Sequence, residues 1–156
     1  MRRKTQNITI IRHIYMMTFK KYGRDKRSSF GYWFWHWAAY NYVAWKLGVW
    51  KPKWLLHDIE KPWLKLIWGD YKRVQKYHRH HSKHHPQYGR RYGLNKVDWL
   101  GTVIDWESCH YTKEAQQRTA REEAIWAVEH ADYGFSKEER DAIKVNVFPI
   151  LDHLGL

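Results

Sequence analysis

At 156 residues the chain has the length of one domain, and 44% hydrophobic residues are enough for a real core. Its 28 Lys and Arg outnumber its 16 Asp and Glu, giving a net charge of +12. A surface this basic suits a polyanionic partner: a nucleotide, nucleic acid or acidic lipid. The lone cysteine, Cys109, excludes an internal disulfide framework and makes the cytoplasm the expected compartment. Only 9 Gly and 4 Pro argue against a turn-rich sandwich or barrel, so an all-α fold is expected.

The opening MRRKTQNITIIRHIYMMTF is basic and then apolar, but Arg12 and His13 interrupt the run and no small-residue cleavage site follows. An amphipathic helix over about 5–22 is the expectation, with a basic loop at 23–29. A second helix over about 29–47 ends at Gly48 and carries Trp33, His36, Tyr40, Val43 and Leu47 on one face, which turns His36 inward. Its uncharged stretch 30–45 is aromatic rather than aliphatic and shorter than the roughly 20 residues of a membrane span, so no span is expected.

A short helix after Pro52 carries His57 and Asp58, the chain leaves the helix at Lys61, and Pro62 opens the next one. Residues 70–84 read as a strongly basic helix ended by Pro86, and 86–93 as a polar loop. Asn95 is expected to cap a helix over 96–111 with Val97, Leu100, Ile104 and Cys109 or Ser108 inward. A helix over 113–131 follows, then one opened by the capping box Ser136 to Glu139 and kinked at Pro149. The expected architecture is a single-domain bundle of six to seven helices. Residues 1–29 form the N-terminal helix and loop, 30–111 the core of the site, and 112–156 the C-terminal helices.

The chemistry concentrates in a few places. His57-Asp58 stands between Leu56 and Ile59, where an aspartate is costly to bury unless paired or bound to a metal. Imidazole beside carboxylate suits Mn, Fe, Co, Ni or Zn. The run HRHHSKHH at 78–85 holds five histidines. On an unbroken helix His78, His81 and His85 share one face, and His80 and His84 another, but Pro86 disturbs the end. Asp105, among Val103, Ile104 and Trp106, is a better buried ligand than Asp98, whose place in a first helical turn has its own explanation in the helix dipole.

The order of these residues resembles the HD-domain superfamily of metal-dependent phosphohydrolases. One HD-like family of bacterial and phage proteins, of unassigned function, has a histidine early in a helix, then His-Asp-x-Ser-Lys, then His-x-x-x-Asn-x-His-His, then Asp-Trp. This chain has His36, then His57-Asp58-Ile59-Glu60-Lys61, then His78 with Ser82-Lys83-His84-His85, then Asp105-Trp106. Glu60 stands for the serine and Ser82 for the asparagine. The likeness covers about residues 30–110 and extends to the HD-GYP phosphodiesterases, whose Gly-Tyr-Pro signature is missing here.

The resemblance implies a helical bundle around one or two divalent transition-metal ions held by His36, His57, Asp58, His78, His84, His85 and Asp105. It also implies a phosphohydrolase or phosphodiesterase acting on a nucleotide or cyclic oligonucleotide, and it is compatible with a phage protein working in the host cytoplasm. Asp58 would bridge the ions and Lys61 would bind a phosphate oxygen, with Arg79 and Lys83 as further substrate-binding cations. Trp63, Tyr88 or Tyr92 are candidates for stacking a base. The other readings are a basic nucleic-acid-binding protein without catalysis, a di-iron oxygenase on the HD fold, and a protein that sequesters a nucleotide.

Overall fold

The computed structural model describes residues 29–112 and 118–156, so the expected first helix, the loop at 23–28 and residues 113–117 of a later helix lie outside the described residues. The described chain is all-α. Seven α-helices run in the order α1 (Ser29–Lys46), α2 (Glu60–Trp68), α3 (Tyr71–His81), α4 (Gly89–Tyr92), α5 (Trp99–Thr112), α6 (Ala120–Glu129) and α7 (Lys137–Leu154). Short 3-10 turns join them, and no strand occurs among the described residues. No described helix is long and apolar enough to cross a membrane.

The bundle is organised around α5, on which almost every residue from Gly101 to Thr112 is buried. Val103 and Trp106 pack with Ala120, Ala124 and Ala127 of α6 and Ile143, Val147 and Leu151 of α7. Ile104 and Tyr111 pack on the other side with Ala39, Tyr40, Val43 and Ala44 of α1 and with Trp54. A helix enclosed on all faces gains its stability from packing rather than from amphipathicity. It also carries any polar side chain it bears, Asp105 included, into the interior.

Several boundaries differ from the sequence expectation for local reasons. Asp98, not Asn95, caps α5: its carboxylate accepts from the Gly101 amide at 3.0 Å. Pro62 does not open a helix but sits inside the first turn of α2, where a missing amide costs nothing, so Lys61 is helical. α3 stops at His81, short of Pro86, because Ser82 turns to extended backbone. Residues 86–93 form a 3-10 turn and a one-turn helix that bury Pro86, Tyr88 and Gly89. α6 starts at Ala120 behind a capping box made by Thr119 and Glu122, a start the sequence reading missed. The Ser136–Glu139 box opens α7 as expected, and α7 runs on through Pro149.

Candidate metal centre

His57 and Asp58 lie in a turn between the 3-10 segment Pro52–Leu56 and α2, rather than on a helix. Asp58 alone among the described non-glycine residues has a positive φ, 58°. Aspartate tolerates this left-handed backbone better than most side chains, and such residues cluster at functional sites. The turn aims the Asp58 carboxylate inward, fully shielded from solvent, while its carbonyl accepts from the Lys61 amide at 3.0 Å to begin α2.

Four separate stretches meet at this carboxylate. From α1 comes His36, whose Nε2 lies 3.7 Å from Asp58 Oδ2 and 2.9 Å from Asp105 Oδ1 on α5. His57 Nε2 lies 3.5 Å from Asp58 Oδ1, 3.7 Å from Asp105 Oδ1 and 3.4 Å from His36 Nε2. Its ring is stacked on Tyr40 with centroids 3.5 Å apart, which fixes its plane. From the end of α3 and the bend after it, His78 Nε2 and His84 Nε2 lie 3.0 and 3.4 Å from Asp58 Oδ1. His85 joins His78 and His84 through ring contacts at centroid distances of 4.7 and 4.4 Å.

The donors fall into overlapping sets whose ligand atoms lie within 4.8 Å of one another: His36–His57–Asp58, His57–His84–Asp105 and His78–His84–His85. Two more sets add Cys109 to His36 and Asp105, and Glu60 to Asp58 and His78. These buried histidine, aspartate and cysteine groupings can hold a metal ion. The bonding points the same way. The buried Nε2 atoms of His84 and His85 have no hydrogen-bond partner, and Asp58 Oδ1 and His78 Nε2 have only each other, 3.0 Å apart. Leaving such groups unpaired costs about 1–3 kcal/mol each, and a cation among them removes the penalty.

Glu60 and Ser82 hold His78 in the ligand geometry, although the sequence reading gave neither a role. The Glu60 carboxylate accepts from His78 Nδ1, and Ser82 Oγ donates to Glu60 Oε1 at 3.1 Å. The bond from Nδ1–H to Glu60 fixes the ring with Nε2 turned toward Asp58, the arrangement by which a carboxylate orients a metal-binding imidazole. The available signal was the acid inside His-Asp-Ile-Glu-Lys, where the resembled family has serine.

Electrostatics fit an anionic, cation-seeking pair. Burial opposes ionisation of Asp58, but His57, His78 and the Lys61 ammonium outweigh it and hold the carboxyl well below the ordinary range. Asp105 is likewise held well below it: burial is overcome by hydrogen bonds from His36 and His57. Burial pushes His36 down despite Asp105, and pushes His84 down to about 3 with help from His57. It pushes His85 well down too, aided by His84 and His78. For His78, burial is outweighed by the Asp58 charge, and the pKa is raised. Three imidazoles therefore stand neutral at pH 7, the form in which they bind metals.

The remaining predicted residues are placed as follows. Lys61 is nearly buried and its ammonium is ion-paired with Asp58 Oδ2, so in this arrangement it neutralises the aspartate. Arg79 is exposed and lines a small cavity of about 40 Å³ with His36, Lys61, His78, His85, Asp105 and Cys109. Lys83 is exposed at a second opening, about 310 Å³, that reaches His57, Asp58 and His84 from the other side. Tyr88 is buried and stacked on Tyr92 at 4.4 Å, whereas Trp63 is exposed. His80 and His81 stay outside the cluster, each ring Nδ1 bonding a carbonyl four residues back. Comparison of the chain with protein-family models, with curated proteins and with solved structures finds no match.

Proposed function

We propose that the protein is a metal-dependent phosphohydrolase of the HD type, acting on a phosphoester of a nucleotide or cyclic oligonucleotide. The observation that carries the reading is the Asp58 carboxylate: His57, His78 and His84 bring Nε2 within 3.5 Å of its Oδ1, and His36 lies 3.7 Å from its Oδ2. His36, His57, Asp58 and Asp105 would hold one divalent ion, and His78, His84 and His85, sharing Asp58, a second. Mn, Fe, Co, Ni or Zn suits a set of imidazole and carboxylate donors. Ions of this kind, when bound, polarise a phosphoryl oxygen and lower the pKa of bound water.

The chain's own residues do the rest. Asp58 would contribute a carboxylate oxygen to each set. Glu60 and Ser82 orient His78, and Tyr40 orients His57. Lys61, ion-paired with Asp58 in this structure, would offer a point charge to a phosphoryl oxygen. Arg79 and Lys83 stand at the two openings for an anionic substrate. The test is hydrolysis by the purified chain of a panel of nucleoside mono- and triphosphates, cyclic mono- and dinucleotides and a small chromogenic diester, with each candidate metal added. Turnover that is lost in His57→Ala/Asp58→Ala supports the reading, and equal turnover in that variant refutes it.

A further inference from the structure

A groove of about 600 Å³ runs beside the metal centre, lined by Tyr71, Lys72, Gln75, Lys76 and Arg79 of α3, by Gln87 and by Tyr133. We infer that this groove is the track for a single-stranded nucleic-acid chain, which it leads to the metal centre. For what happens at the end of the track, the inference rests on the hydrolase reading.

Three observations converge. The first is charge. Lys72, Lys76 and Arg79 recur at helical spacing along one edge of α3, all exposed, and no acidic side chain pairs with them among the described residues. From residue 72 to 79 the helix rises about 10 Å, the length of roughly three stacked nucleotides. The second is polar readiness. Of the buried side-chain atoms without a hydrogen-bond partner, two lie here, the Tyr71 hydroxyl and Gln87 Oε1. With Gln75 they offer donors and acceptors to base edges or sugars. The rings of Tyr71 and Tyr133 provide faces on which bases stack without sequence preference. A bare polyphosphate or a lipid surface has no use for rings and amides set between the cations. The third is continuity: Gln75 and Arg79 line both this groove and the small cavity that holds His36, His78, His85 and Asp105.

The experiment is fluorescence anisotropy of the full chain with a labelled ten-nucleotide thymidine strand. It is run at several salt concentrations, and strand integrity is read on a gel. The wild type binds, and log affinity falls linearly with log salt. Lys72→Ala/Lys76→Ala weakens binding at least tenfold and makes that slope shallower by about 1.4, two phosphate contacts on a single strand. Both lysines are exposed, so the variant keeps the fold, as circular dichroism would check. Tyr71→Leu weakens strand binding about tenfold but leaves competition by inorganic polyphosphate unchanged. No strand binding, or binding indifferent to the lysine pair, overturns the inference. So does strand binding that Tyr71→Leu leaves unchanged, with polyphosphate or anionic vesicles competing as well as an unlabelled strand. Strand binding without turnover of any substrate keeps the inference and removes the hydrolase reading, and turnover of the small diester without strand binding does the reverse.

Discussion

The two ends of the described chain treat buried polar groups in opposite ways. In the C-terminal helices each buried carboxylate has its partners. Glu139 accepts two hydrogen bonds from Arg90 at 2.7 Å and closes the α7 capping box. Glu123 accepts from Arg118 at 3.1 Å and from the Tyr133 hydroxyl, and Glu107 accepts from the Ala120 amide at 2.9 Å. In the other region lie all the buried polar side-chain atoms without a hydrogen-bond partner among the described residues, from residue 33 to residue 87. Four of them belong to Asp58, His78, His84 and His85 of the candidate centre and two line the basic groove, the others being His36 Nδ1 and two indole nitrogens. One region is finished by folding. The other is left with open valences, as expected where a ligand completes it.

Substitutions break this comparison most sharply at Asp58. Asp58→Ala is expected to lower metal affinity by more than a hundredfold, since loss of a mere orienting neighbour already costs 10–100-fold. Equilibrium dialysis against the favoured ion reads it. Glu60→Gln, which weakens the hold on His78, belongs to that lesser class and should cost 10–100-fold in affinity while leaving the fold intact. In the finished region the effect moves to stability: Glu139→Ala removes a cap and two hydrogen bonds. It should cost about 2 kcal/mol in urea unfolding, with metal content unchanged.

How much of this was legible in the sequence follows the same divide. The all-α class could be read from composition and helical spacing, and the grouping of His36, His57, Asp58 and Asp105 from the resemblance to HD-type sequences. Helical spacing alone did not single out which histidines of 78–85 reach the centre; the resemblance supplied His78, His84 and His85. Their arrival there depends on Ser82 turning to extended backbone, which swings His84 and His85 inward and leaves His80 and His81 outside. The left-handed turn at Asp58 was read as helix, because Leu55, Leu56 and Ile59 look like one apolar face. Glu60 was missed because its partner, His78, comes from the next helix, and such a pair has no signature along the chain.

Acidity sharpens the contrast further. His84 and His85 are held neutral when folded, and an unfolded histidine titrates near 6.5. As pH falls from 6.5 toward 3 the unfolded chain therefore takes up more protons at these two positions, and their contribution to stability is lost in that window. His78, with its raised value, acts oppositely: its contribution is present at low pH and lost as pH rises through that value. His36, likewise held neutral by burial, acts with His84 and His85, so three groups outweigh one and Tm should be lower at pH 5 than at pH 7. In His84→Gln/His85→Gln that difference should shrink, while Ser136→Ala should keep it and cost only about 1 kcal/mol.

The most direct test is the metal content of the purified protein by mass spectrometry. Between one and two divalent transition-metal ions per chain are expected in the wild type, and none in a folded His57→Ala/Asp58→Ala variant. A wild-type chain that takes up no such ion when one is offered, or a double variant that retains as much, would contradict the account.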